Sequence, residues 1–162
     1  MNLLETFPRD ALVRVAFCSE ANFSGWADPR GPELEVSRIL YPSPRTGHHE
    51  AIGGIFHSGD RFYLQLIEGP VEDVAWYVEH VTRDPRHQRV EVLHAEEIRS
   101  HSYPPGAMRY VGNHEQVHAL HQRHGLAAFD PYRYTPEILA DFAALAEDPP
   151  SDPDALMGRH RD

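Results

Sequence analysis

Short apolar runs and helical stretches alternate along the chain in a fixed order. Residues 11–19 read ALVRVAFCS, a Val-containing run of strand length that suits burial on at least one face. A polar segment with Gly25, Asp28, Pro29 and Gly31 leads to Pro32, whose missing N–H costs nothing in a first helical turn. The pattern predicts a helix from there to about Tyr41, stopped by Pro42 and Pro44, which lack an amide donor and clash with the preceding turn. EAIGGIFH and RFYLQLIEG follow as two strand-like runs joined by Ser58, Gly59 and Asp60, the composition of a tight antiparallel hairpin. Side chains alternate along a strand, so Phe62, Leu64 and Leu66 share one face while Tyr63, Gln65 and Ile67 share the other. Gln65 is thus a polar group on an apolar face. Val71, Val74, Val78 and Val81 then recur at helical spacing, DPRH at 84–87 ends that helix, and VEVLHAEEI supplies another strand.

Strand, helix, strand, strand, helix, strand is the split βαβ arrangement of an α+β, ferredoxin-like fold. The handedness of its crossovers puts both helices on one face of the sheet. After the turn-rich SYPPG segment, MRYVG is expected to add a fifth strand at an edge, since nearby prolines disfavour a central position. Helical patches around Glu115–His124 and Pro136–Ala146 form a C-terminal extension, and the Pro- and Asp-rich tail is expected to be disordered. The expected organisation is therefore a sheet domain over 1–112, a helical extension over 113–147 and a tail over 148–162.

Charge and composition narrow the function classes. With 25 acidic against 15 basic residues, the net charge of −10 opposes direct binding to a phosphate backbone, and no basic stripe offsets it. No run approaches the roughly 18 apolar residues of a membrane span, and MNLLETFPRD has no leader pattern, so a soluble, cytoplasmic protein is expected. Cys18 is the only cysteine, which leaves no intrachain disulfide. Twelve histidines raise the question of pH or metal sensitivity.

The stretch from Ala11 to about Gly112 resembles a BLUF domain, the family of blue-light sensors using FAD. LVRVAFCSEA resembles its first strand, EVSRIL its first helix, IGGIFHSGDRFYLQLIEGPVEDV its hairpin and F-x-Q-x-L-E-G signature, and DPRHQRVEVL the segment after the second helix. Met108 falls where the family has a late methionine. The resemblance implies FAD between the two helices, with a glutamine linking the flavin ring to a tyrosine on the first strand. In the family, light moves an electron and a proton from that tyrosine through the glutamine, whose hydrogen bonds then rearrange. Gln65 matches the glutamine, but Phe17 stands at the tyrosine position and has no hydroxyl to donate. Gly47 replaces the ring-holding asparagine, and Gly106 a late tryptophan. What the resemblance leaves for the cofactor is Gln65, the carbonyl-rich backbone of Ile52–Gly54, and Arg86 with His87 near the ribityl and phosphate end, beside Phe17 and Met108. Weak FAD binding without photoswitching is the resulting expectation.

Each of these residues also has a plainer reading. A buried amide left unpaired costs roughly 1–3 kcal/mol, so Gln65 needs a partner: flavin, protein backbone or a buried water. Phe17 and Cys18 suit a core strand, although a cysteine near a flavin could be redox-active; Gly47 suits a loop. Arg86 and His87 suit the C-terminus of a helix. His114, His118, His121 and His124 step by intervals of four, three and three, within roughly 120° of one helical face. His114, His118 and His121 are the candidate metal ligands, against a merely solvated face. The expected function is a regulatory, non-enzymatic flavin sensor that self-associates and acts through an unknown partner protein. Two rivals stand beside it: a cofactor-free scaffold whose cleft is filled by side chains such as Phe17 and Tyr63, and a metal-responsive protein.

Overall fold

The computed structural model describes residues 2–22, 32–59 and 61–147. The connection through Gly25 to Gly31, Asp60 of the hairpin turn and the tail from 148 lie outside the described residues. In order, the elements are α1 (Leu3–Thr6), β1 (Leu12–Ala21), α2 (Pro32–Leu40), α3 (Gly47–Ala51), β2 (Gly53–Gly59), β3 (Phe62–Pro70), α4 (Val71–Arg83), β4 (His87–Glu97), β5 (Met108–Tyr110), α5 (His114–Arg123) and α6 (Pro136–Ala144). Single 3-10 turns lie at Pro131–Arg133 and Leu145–Glu147. The sheet runs β4-β1-β3-β2-β5, antiparallel throughout except for the parallel pair β2 and β5. This is the α+β ferredoxin-like order expected from the hydrophobic pattern, with the fifth strand at an edge.

Alternation along β3 divides the molecule into two layers. Its odd-numbered residues face the helices: Ile67 packs with Val13, Val15 and Phe17 of β1 and with Val71, Val74, Tyr77 and Val81 of α4. Tyr63 packs with Val36 and Ile39 of α2 and with Phe56 of β2. Both helices therefore lie on one face. The even-numbered Leu64 and Leu66, with Ala16, Cys18 and Ile55, meet Leu120, Phe129, Tyr134, Ile138, Leu139 and Phe142 of the C-terminal extension. Burying side chains of this size contributes roughly 1.5–3 kcal/mol each, which makes the extension a structural cover for the reverse face of the sheet.

Helix α4 holds a correction to the periodicity. Its buried stripe is Val71, Val74, Tyr77 and Val81, with Tyr77 turned inward where the valine spacing points to Val78. An α-helix of 3.6 residues per turn accommodates either position, and the larger ring takes the deeper one. Acidic Glu72 and Asp73 in its first turn and His80 and Arg83 in its last complement the helix dipole. Two short helices, α1 and α3, add to the expected set. Thr46 starts α3 through a capping box: its hydroxyl accepts from the His49 N–H, and His49 Nδ1 accepts from the Thr46 N–H.

The segment before β5 is bound tightly to the sheet. Glu68 is fully buried, and its carboxylate accepts from the backbone N–H groups of Ser102 and Tyr103 at 2.7 and 2.9 Å and from Arg14 Nε at 2.8 Å. At Gly53 the chains approach so closely that a Cβ would sit 2.2 Å from the Pro104 carbonyl oxygen. Only glycine tolerates that contact. Among the described residues, no helix is long and apolar enough to cross a membrane.

Candidate functional site

Gln65 sits at mid-sheet. It pairs in register with Phe17 of β1 on one side and Phe56 of β2 on the other, so its carboxamide lies between two fully buried phenyl rings. Such a position cannot be solvated by the protein surface, and its side chain is 1 % exposed. Above it, between α2 and α4, opens a cleft of about 460 Å³ lined by Gln65, Tyr77, Trp76, His49, Arg38 and Arg86, among others. That volume falls within the range of about 300–1,000 Å³ usual for cofactor sites.

The carboxamide has one partner that the sequence reading lacks. Tyr77 Oη, from α4, donates to Gln65 Oε1 at 2.7 Å, while Nε2 has no hydrogen-bond partner among the described residues. The expectation that Phe17 leaves Gln65 without a phenolic neighbour is therefore overturned. Phe17 is fully buried, and its ring meets the Tyr77 ring edge-on at 6.1 Å. The hydroxyl comes from the helix above the sheet instead of from the adjoining strand. The signal that could have found it is a tyrosine three residues after Val74 in an otherwise aliphatic buried stripe.

The remaining cofactor candidates divide. Arg86 and His87 line the same cleft as Gln65. Arg86 forks onto Asp84, with Nε at 2.8 and 2.9 Å from its two carboxylate oxygens. Burial raises the Asp84 carboxyl, but the side-chain and backbone hydrogen bonds from Arg86 outweigh it and hold Asp84 below the usual carboxylate range. Because Asp84 is the C-cap of α4, the plainer helix-end reading also describes Arg86. His87 meets Ser19 Oγ at 2.8 Å and the Tyr63 ring at 5.2 Å. Ile52 and Met108 lie in an adjoining crevice that shares Tyr77 and His49 with the cleft. In the Ile52–Gly54 backbone, the Ile52 carbonyl accepts from the Gly106 N–H and the Gly54 N–H donates to the Ala107 carbonyl, which ties this segment to the one before β5. Gly47 begins α3 with open space around its Cα, and Gly106 adopts φ +86°, a conformation natural to glycine.

One wall of the cleft is an aromatic and histidine layer. His48 and His80 stack on Trp76 at 4.4 and 4.9 Å, and His48 Nδ1 meets Asp73 Oδ1 at 2.7 Å, which ties α3 to α4. Burial, followed by the electrostatic influence of His80, Arg45 and His48, pushes His49 below the ordinary histidine range.

Two candidates fall outside the cleft. Cys18 belongs to the opposite face, packed under the C-terminal extension, where burial first and Glu91 and Asp130 next push its thiol up to about 12. It is a core residue. The histidines of α5 do not converge: His114 and His118 are exposed, whereas His121 is buried and shares a 2.7 Å hydrogen bond with Tyr134. His124 Nε2 meets Asp141 Oδ2 at 2.7 Å and joins α5 to α6. Among the described residues, no three His, Cys, Asp or Glu side chains are grouped to hold a metal ion. The expected three-ligand site fails because one side of α5 packs on the core and draws His121 with it.

A sequence model of the family described as "BLUF: Sensors of blue-light using FAD" matches residues 12–109. No curated protein matches the chain. Among solved structures, BlsA in its photo-activated state is similar with a TM-score of 0.68 and 21 % identity, covering 87 % of this chain and 99 % of that one. The ground state of BlsA gives a TM-score of 0.70 at 21 % identity, over 88 % and 93 %. The dark-state structure of BlrB, a BLUF protein, gives 0.62 at 24 % identity, over 85 % and 96 %. At these identities the structural likenesses establish the fold.

Proposed function

Since the chain belongs to the BLUF family of blue-light sensors using FAD, we propose that it is a regulatory flavoprotein whose cofactor lies in the α2–α4 cleft with its ring system over Gln65. The observation that carries this reading is Gln65 Nε2, a buried amide nitrogen without a partner among the described residues, at the base of an open cleft. An unmet buried donor costs roughly 1–3 kcal/mol, and a ligand acceptor there removes that cost. The residues present fit the cofactor: Gln65 faces the ring, Trp76 and His49 offer aromatic walls, and Arg38 and Arg86 supply cations where a diphosphate needs them. When bound, FAD supplies absorption of blue light. The protein's own residues exclude water from the ring, orient the Gln65 amide and neutralise the phosphates.

The usual light reaction draws on a hydroxyl of the first strand, and Phe17 has none. In this reading Tyr77, which meets Gln65 from α4 and not from the first strand, does not replace that tyrosine; the flavin serves without the tyrosine-dependent switch, and the sheet unit over 1–112 acts on a partner protein, with self-association through the extension that follows it. Calorimetric titration of FAD into the purified chain is expected to give saturable binding at one site per chain. A flat titration would leave the cofactor-free scaffold as the function. Blue light on the loaded protein is expected to produce no lasting red shift of the flavin band; a reversible shift would reassign the phenolic role from β1 to another tyrosine.

A further inference from the structure

We infer that residues 148–154, which read DPPSDPD, dock as an intramolecular ligand in a second cavity, on the face of the sheet opposite the α2–α4 cleft. This cavity of about 520 Å³ is lined by Ile55 of β2, by Tyr103 and Pro104 of the segment before β5, and by Ala140, Ala143 and Ala144 of α6. Spacings of three and four residues put the three alanines on one side of α6, where Ala140 and Ala144 are exposed. The lining also carries two charged residues, Arg14 and Arg109, and both are cations in a chain of net charge −10. Arg14 is already answered by the buried Glu68 carboxylate. Arg109, from β5, makes one hydrogen bond among the described residues, to the Ala146 carbonyl at 2.9 Å. A guanidinium has five donors, so Arg109 keeps the capacity to take a carboxylate.

The occupant follows from where the chain runs next. Ala146 itself lines the cavity, so residues 148–154 begin at its rim. Their composition denies them a core of their own, and order there has to come from a surface they lie on. Pro149, Pro150 and Pro153 favour the extended polyproline geometry of three residues per turn. In that geometry Pro150 and Pro153 share one edge, while Asp148, Ser151 and Asp154 share another. One edge is apolar and suits the alanine side of α6 and the Tyr103 ring, as proline-rich ligands suit aromatic-lined grooves. The other is anionic and suits Arg109. A polyproline segment has little conformational freedom to lose, and a short tether holds it at an effective concentration of the order of millimolar, so weak contacts suffice. A second copy or another protein reaching this face has to displace the segment first. The contact needs no cofactor.

The test is 15N relaxation of the full chain without FAD. Backbone order parameters of Ser151, Asp152 and Asp154 are expected close to the rigid value of about 0.85, and below about 0.6 in Arg109→Gln. The double variant Pro150→Ser, Pro153→Ser, whose changes lie outside every described element, is expected to lower them in the same way. It should also move the methyl resonances of Ala140, Ala143 and Ala144 and leave that of Ala11, in the opposite layer, where it was. Should Arg109→Gln not fold, the proline variant decides. Order parameters below about 0.6 in the unmodified chain, or alanine methyls unmoved in the proline variant, would overturn the inference. Order that appears only as the protein concentration is raised would seat the segment on a second copy and overturn it as well.

Discussion

Glu68→Ala is expected to cost about 3–5 kcal/mol of folding stability, the largest effect of any single substitution considered for this protein. The carboxylate is fully buried and gathers donors from three places: Arg14 on β1, and the backbone of Ser102 and Tyr103 in the segment leading to β5. Removing it leaves the buried N–H of Tyr103, the partly buried N–H of Ser102 and a partly buried guanidinium without this acceptor, each with its own desolvation cost. Because total stability is typically only about 5–15 kcal/mol, the loss is a large fraction of the whole. Urea unfolding followed by circular dichroism measures it. A loss below about 1 kcal/mol would mean that solvent replaces the carboxylate and that the anchoring of the β5 segment lies elsewhere.

Acidification is expected to produce the second-largest effect, through His57. This residue is buried on β2 beneath the C-terminal extension, with Phe129, Phe142 and Tyr110 around its ring and Nδ1 donating to the Val111 carbonyl at 3.0 Å. Burial first, with further lowering by His121 and His114, brings it down to about 4 from an ordinary 6.5. The folded state therefore holds His57 neutral over a range in which the unfolded chain takes up a proton. Stability from this group is complete above about pH 6.5 and declines as pH falls through 6.5 toward 4, by on the order of 3 kcal/mol in all. Below that range both states are protonated and the loss is constant. Melting temperatures taken at steps from pH 7.5 to 4.5 should fall more steeply for the unmodified chain than for His57→Asn, whose amide can still donate to Val111. Parallel slopes would remove His57 as the cause.

The fold was legible because its signals are local and repeated. Alternation placed Gln65 on the helix-facing side of β3, and the two prolines after Tyr41 marked the end of α2 correctly. The short helix α3 was missed, although Thr46 and His49 carry a capping pattern, because the polar run around Gly47 reads equally well as a loop. In the site, alternation put Gln65 on the helix-facing side of its strand, whereas Arg86, in the turn between α4 and β4, and His87 were pointed to by the family resemblance alone. Tyr77 could not. Helical periodicity shows which stripe is buried, but whether residue 77 or 78 leads inward depends on how α4 rotates over the sheet, which is a property of the packed pair. The histidine series on α5 failed for a related reason. Spacing puts side chains on one helical surface, whereas ligation needs them to converge on a point, and here the core claims His121 while His118 faces solvent.

Absorption spectra recorded while FAD is added to the unmodified chain and to Gln65→Leu test the central claim, contact between this amide and a flavin, most directly. The account expects saturable uptake by the unmodified chain with a displaced flavin band, and about tenfold weaker uptake with a different band position in Gln65→Leu, as loss of one ligand hydrogen bond implies. Identical affinity and identical spectra in the two proteins would contradict it.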